Sequence, residues 1–264
     1  MKAIILSAGQ GRRLMPLTEN TPKCCLMLDG KTLLEHQIES LAANGIDEIV
    51  VITGFGHHLV EDVVDRIRNI PVRTLYNPFY ALSDNLGTCW VARGEMQAPF
   101  LLINGDTLFE PAVLAGLLTN AKSYPITLAT DHKGQYDDDD MKISAAGEKL
   151  NRVGKKLNMK MVNGESIGMM VFNQAGADVF VQKDEHLMSG STGLARWYLS
   201  AIDDLARSGY VGISSIDGLS WCEVDDLADF AHARETVRNW HSQRFNLRVE
   251  CADTGSLKRS GMDR

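Results

Sequence analysis

Short apolar runs alternate with helix-spaced apolar positions through the first hundred residues, and that ordering leaves the chain few folds. Ala3-Ile4-Ile5-Leu6 is too short for a helix and apolar on both faces, as a strand buried on both sides requires. Leu34, Ile38 and Leu41 then recur at helical spacing, and Asn44-Gly45 supplies a stop. Glu48 to Thr53 predicts a second strand, and Leu59, Val63 and Ile67 return to the helical rhythm. Arg73 to Tyr76 and Phe100 to Ile103 predict two more strands.

Strand and helix in regular alternation imply crossovers of one hand. The predicted fold is therefore α/β: a Rossmann-like, mostly parallel sheet flanked by helices. The middle of the chain departs from this pattern. Asp137 to Asp140 is an unbroken acidic run, followed by Lys142-Ile143-Ser144, a turn at Gly147 and Gly154-Lys155-Lys156. That reads as hairpins, so residues 134–168 are expected to form a small β-rich insertion, a lid on the acceptor side of the site. Met169 to Phe172 returns as an apolar strand, and Thr192–Ala206 and Leu227–Val237 read as helices. Without a repeat or linker, residues 1–240 are expected to form one domain. Beyond Trp240 the chain turns polar, and residues 241–264 read as an irregular tail.

A net charge of −7 over 264 residues argues against broad binding to nucleic acid or an anionic membrane. No apolar run approaches the length of a membrane span, and the N-terminus lacks the order of a signal peptide. The five cysteines share no zinc-ligand spacing and read as free thiols of a reducing compartment, so the expected location is cytoplasmic. His57 and His58 are adjacent rather than four apart and are assigned no metal. Met159, Met161, Met169 and Met170 read as core filler.

Chemistry begins directly after the first strand. Leu6-Ser7-Ala8-Gly9-Gln10-Gly11 is a run of small residues in which successive backbone N–H groups can face an anion. It lacks the third glycine of a dinucleotide fingerprint and the Gly-Lys-Ser/Thr ending of a P-loop. Alone it is equally well a tight turn. The continuation, GQGRRLMPLTENTPK over residues 9–23, narrows the choice. It resembles the signature of the nucleotidyltransferases that make nucleoside-diphosphate sugars and CDP-alcohols: Gly-x-Gly-x-Arg-Leu-x-Pro-Leu-Thr, then Pro-Lys. Ser7 stands where that family more often has alanine. The resemblance implies that Leu6, Ser7, Ala8, Gly9, Gly11 and Arg13 hold a nucleoside triphosphate, and that Lys23 stabilises charge at the reacting phosphorus.

Carboxylates complete the constellation. Asp106 follows Gly105 just past the strand Phe100–Ile103, at the sheet edge where α/β proteins bind ligands. Glu223 and Asp225 share one face of an extended segment, and Asp226 reads as the cap of the helix behind it. Paired carboxylates repel unless a cation lies between them. The resemblance implies Mg2+ held by Asp106 and Asp225, with Glu223 a weaker third ligand. Without it, Asp106 could be a cap and Glu223 and Asp225 a solvated strand end.

Gly154-Lys155 and Ile167-Gly168 match the cytidylyltransferase branch of the family, as does Asp140-x-Lys142. On that resemblance Lys155, Glu165, Ile167 and Gly168 are expected at the phosphorylated acceptor, although Lys155-Lys156 alone would be a solvated turn. The run Asp137–Asp140 reads more readily as a solvated loop than as a metal site. Asn85 and Thr88 are placed in the base pocket, with Asn85 equally able to cap a helix starting near Gly87. The expected activity is transfer of CMP from CTP to phosphocholine, 2-aminoethylphosphonate, inositol phosphate or a similar acceptor, releasing pyrophosphate. The alternative is a sugar-1-phosphate nucleotidylyltransferase using UTP, dTTP or GTP. A non-catalytic sensor has little need of two metal carboxylates. The expected partners are the two substrates, with a homodimer allowed.

Overall fold

The computed structural model describes residues 1–97 and 99–257, with side chains as far as residue 242. The first strand, β1 (Lys2–Ser7), buries Ala3, Ile4 and Ile5 completely. A short hairpin, β2 (Met27–Leu28) and β3 (Lys31–Thr32), leads into α1 (Leu33–Ala43). The Thr32 hydroxyl accepts from the Glu35 amide while the Glu35 carboxylate accepts from the Thr32 amide, which fixes where α1 begins. Next come β4 (Glu48–Thr53), α2 (His57–Val64), β5 (Val72–Tyr76), α3 (Asn85–Ala92) and β6 (Phe100–Asn104). They are followed by β7 (Thr107–Phe109), α4 (Pro111–Asn120) and β8 (Ile126–Asp131).

The insertion carries the hairpin β9 (Lys142–Ala146) and β10 (Lys149–Gly154), turning at Gly147 as expected. A long strand, β11 (Gly164–Phe172), and a helix, α5 (Gln174–Met188), bring the chain back. The segment expected as one helix over Thr192–Ala206 is a single 3-10 turn at Gly193–Ala195, an extended Arg196-Trp197 and then α6 (Tyr198–Arg207). β12 (Val211–Ser215) and β13 (Trp221–Glu223) precede α7 (Leu227–Leu257). The sequence ends this last helix at Val237 and expects an irregular tail beyond Trp240; the backbone instead stays helical to Leu257, and residues 258–264 lie outside the described residues.

Nine strands form one sheet in the order β5-β4-β1-β6-β11-β8-β12-β10-β9. β5, β4, β1 and β6 pair in parallel, as do β8 and β12. β11 runs antiparallel to both β6 and β8, and β10 runs antiparallel to β12 and β9. The sheet is therefore mixed where the sequence predicts a mostly parallel one. No crossover helix precedes β11. It leaves the hairpin beside β9, pairing through Gly164 and Glu165, and runs on between β6 and β8 past an irregularity between Ser166 and Met170. The hairpin expected as a lid thus forms one edge of the main sheet.

Apolar side chains fill both faces. Phe100 and Phe172 stack at 4.4 Å between ring centroids on one of them, with Phe180 against Phe172. Among the described residues no helix is long and apolar enough to cross a membrane, and Cys24, Cys25, Cys89 and Cys222 are free thiols.

One buried group makes stability depend on pH. Asp184 on α5 is fully buried, and neither carboxylate oxygen has a hydrogen-bond partner among the described residues. Burial pushes its carboxyl up to about 7. Between the unfolded value and 7 the folded chain holds a proton that the unfolded chain has released, so this carboxyl removes stability as pH rises through that window. Asp184→Asn lacks the effect. Urea unfolding is expected to show the variant gaining on the parent, by on the order of 4 kcal/mol between pH 4 and pH 8. A pH-independent difference would contradict this role.

Candidate active site

Pairing in the sheet collects the catalytic candidates. Leu6 of β1 lies opposite Asn104 of β6, so the loop after β1 and the segment Asn104-Gly105-Asp106 leave the sheet side by side. The Gly105 amide donates to the Leu6 carbonyl at 3.0 Å, and a Cβ on Gly105 would stand 2.3 Å from Ser7 Oγ and 2.7 Å from that carbonyl. Only glycine permits this approach. β13 pairs with β7, setting Glu223 opposite Thr107, and the Val224 amide donates to the Asp106 carbonyl. Residues more than a hundred positions apart therefore meet at one edge.

Gly11 sits at φ 74° in the left-handed region and caps the 3-10 turn Arg12–Leu14. A Cβ there would lie 3.0 Å from Cβ of Lys23. The Thr18 hydroxyl donates to the Gly11 carbonyl at 2.7 Å, folding the loop back so that Arg13 and Lys23 both reach Asp225. Lys23 Nζ lies 2.7 Å from Asp106 Oδ2 and 2.7 Å from Asp225 Oδ1. Arg13 reaches the other Asp225 oxygen at 2.7 Å and Asp139 at 2.8 Å. Lys155 contacts the second Asp139 oxygen at 2.9 Å and stands 4.8 Å from the centroid of the Trp197 ring. Six side chains of alternating sign thus run across the cleft, from Asp106 to Lys155.

These neighbours set the charge states. Burial alone would lower the Lys23 pKa, but Asp106 and Asp225 outweigh it and hold the ammonium protonated. Burial likewise opposes ionisation of Asp225, and Lys23 and Arg13 overcome it and keep its carboxyl below the ordinary value. Glu223 has less relief: burial, then the Asp106 and Asp225 charges, outweigh the pull of Lys23 and push its carboxyl up to about 8. Asp226 caps α7 as expected, its Oδ1 accepting from the Ala228 and Asp229 amides at 2.8 and 2.9 Å.

The cleft is lined by Leu6, Ser7, Gly9, Gly11, Asn85 and Gly105 along with Lys23 and Asp106, and a side pocket adds Ala8 and Thr88. Every residue expected at the nucleotide except Arg13 therefore lines this cleft or its side pocket, and Arg13 is tied to Lys23 through Asp225. Asn85 is not the helix cap; Asp84 is, and Asn85 Oδ1 instead accepts from the Tyr198 amide at the start of α6. Thr88 is buried and accepts from the Asn77 amide group.

The acceptor-side residues divide. Lys155 faces the cleft network. Gly168, at φ 70°, makes room for the Asn104 amide, which a Cβ would approach to 2.3 Å. Ile167 is fully buried in the core, so its side chain cannot touch an acceptor; the chain was expected to place it there, but its position in β11 points it inward. Glu165 is nearly buried too, 3.0 Å from Lys133, and burial raises its carboxyl to about 7. Among the described residues no three Asp, Glu, His or Cys side chains converge on one ion position, so Glu223 does not complete a three-ligand set with Asp106 and Asp225.

Asn104, Tyr198 and Asp139 belong to the site and escape sequence reasoning. The Tyr198 hydroxyl donates to Asn104 Oδ1 at 3.0 Å. The one available signal for Asn104 was a polar residue closing an otherwise apolar strand. The acidic run is an exposed loop, as the sequence reads, but Asp139 within it also holds two cleft cations, and Asp140 pairs with Lys133 at 2.7 Å.

The MobA-like NTP transferase domain matches residues 3–203. The chain belongs to this family. Within the MobA-like family it is similar to the choline-phosphate cytidylyltransferase of Streptococcus pneumoniae, at 36% identity over 90% of this chain and 99% of that protein. The CTP:phosphoglutamine cytidylyltransferase of Campylobacter jejuni is 23% identical over 87% of this chain and 97% of its own length. The solved inositol-1-phosphate CTP transferase of T. maritima superposes with a TM-score of 0.76 at 20% identity, covering 90% of this chain and 96% of that one, a likeness of fold. In this chain the small-residue loop after β1, Lys23, Asp106 and Asp225 lie together at one sheet edge.

Proposed function

We propose that the chain transfers CMP from CTP to a small phosphorylated alcohol or phosphonate and releases pyrophosphate. One observation carries the chemical half of this reading: Lys23 Nζ bridges Asp106 and Asp225 at the mouth of the backbone loop. The choice of CTP leans on the similarity to the choline-phosphate cytidylyltransferase.

Mg2+ fits the donor set. Asp106 Oδ1 is buried with no hydrogen-bond partner among the described residues, an oxygen prepared for a cation. Mg2+ takes one or two carboxylates and completes its shell with phosphate and water, so Asp106 and Asp225 suffice to hold it. When bound, it would supply charge neutralisation across the phosphates.

The protein's own groups do the rest. Loop N–H groups and Arg13 hold the β- and γ-phosphates, the leaving end. Lys155 draws the acceptor's phosphate or phosphonate towards the α-phosphorus. An acceptor oxygen, already ionised near neutral pH, forms the new bond to that phosphorus. The bond from the α-phosphorus to the bridging oxygen breaks, and pyrophosphate leaves with the electron pair. No proton moves, so Lys23 acts by charge, opposing the negative charge that builds on the α-phosphoryl oxygens.

The test is a pyrophosphate-release screen of CTP, UTP, GTP and dTTP against phosphocholine, 2-aminoethylphosphonate, inositol 1-phosphate, phosphoglutamine and sugar 1-phosphates, with Mg2+. Turnover is expected with CTP and one of the first four acceptors. Turnover confined to another nucleotide with a sugar 1-phosphate would replace this reading with the sugar-nucleotide one.

A further inference from the structure

The acidic run left unexplained by the sequence is built with care. The Asp137 carboxylate accepts from the Asp139 and Asp140 amides, and Asp140 accepts from the Asp137 amide. Lys142, only 3% exposed, sends its ammonium beneath this turn to the carbonyls of Asp137, Asp140 and Lys155. Lys133 neutralises Asp140. Asp137 and Asp140 thus make the turn, and Asp139 is left with its carboxylate projecting over the cleft.

There it does something unusual for a surface acid. Its two oxygens hold two different cations, Arg13 at 2.8 Å and Lys155 at 2.9 Å. Those are the two cations that the proposed function assigns to the triphosphate and to the acceptor. A carboxylate and a phosphate offer such donors the same kind of acceptor oxygens, and a guanidinium fork satisfied by one is less available to the other.

We propose that Asp139 is an internal stand-in for substrate phosphate: it occupies Arg13 and Lys155 in the ligand-free protein, is displaced as the substrates bind, and so sets their apparent affinity. The inference rests on the proposed function for the roles of the two cations. It makes Asp139 a tuning residue, touching neither the reacting phosphorus nor its leaving group. Because the Asp139 side chain is 64% exposed, its hold is weak, and a triphosphate with several charges displaces it. The resting cleft keeps its cations ordered and facing inward without a bound anion.

The experiment measures binding and turnover separately. Calorimetric titration with inorganic tripolyphosphate, without metal, reads the anion grip alone. Asp139→Asn is expected to bind tripolyphosphate about two- to fivefold tighter than the parent, the range for loss of one exposed ion pair. Its KM for the triphosphate is expected to fall by a similar factor, with kcat within about twofold. Asp139→Glu keeps the anion and should stay near the parent, a rescue that a purely structural role would not produce. Asp138→Asn, beside it but outside the cation network, should change nothing. Unchanged or weaker tripolyphosphate binding in Asp139→Asn, with the parent binding and an unaltered melting temperature, overturns the proposal and leaves the function standing. A parent that neither binds tripolyphosphate nor turns over any substrate pair overturns both.

Discussion

Lys23→Ala is expected to lower turnover on the order of 10²–10³-fold, the usual cost of removing one preorganised group that stabilises transition-state charge. It should also change what the fold depends on. Without the ammonium, Asp106 and Asp225 are left facing a common space beside Glu223, with no cation between them. Removing one partner of a largely buried pair costs about 2–4 kcal/mol, so the variant should melt earlier in chelator than the parent. A divalent cation entering the same space would return much of that stability without returning turnover. Pyrophosphate release and melting curves with and without Mg2+ read the two effects independently. Turnover within tenfold of the parent would remove Lys23 from the chemistry. A melting temperature indifferent to Mg2+ would remove the two carboxylates as ion ligands.

The second large effect is steric. Gly105→Ala places a Cβ 2.3 Å from Ser7 Oγ and 2.7 Å from the Leu6 carbonyl. The hydroxyl can rotate away, but the carbonyl is fixed by β1 and accepts the Gly105 amide itself. Relief therefore separates the end of β6 from the end of β1. Such overpacking costs about 1–3 kcal/mol, and it displaces Asp106, the next residue, so turnover falls with stability. Gly9→Ala is the contrast: nothing lies within 4 Å of its Cβ, so stability should hold while the cleft-lining loop gains a methyl group. Denaturation midpoints and kcat/KM for the two variants check this. A Gly105→Ala protein with parental values of both would mean that the two strand ends are not tightly joined.

The parts of the fold that are legible in sequence are those whose signal is local. β4 and β6 are continuous apolar runs, and α1 carries both a capping box at Thr32 and Glu35 and a stop at Asn44-Gly45. α5 has no comparable pattern: it buries Ala177 and Phe180 but also a carboxylate, Asp184, so its apolar face is broken. The direction of β11 is not local either, because it depends on the strands that flank it. The site divides by the same rule. Arg13, Lys23, Asp106 and Asp225 lie in compact motifs. Asp139 reaches Arg13 across 126 positions of sequence, and only the folded chain reveals that pair. Ile167 stands beside Gly168, which packs against Asn104, and its own side chain enters the core.

β11 also bears on how such a protein can be altered. Its first residues pair with the hairpin, and its last four pair with β6 beneath the catalytic edge. The segment over residues 134–163 is therefore not an interchangeable cassette. Exchanging residues 134–163 for those of a relative would graft a foreign hairpin onto a native strand and leave the seam inside a hydrogen-bonded ladder. A chimaera that carries the new segment together with its own β11 moves the seam to Asn173, at a helix cap, where two sequences can be joined without breaking a pairing. Whatever that segment contributes is in that sense inherited along with a piece of the core.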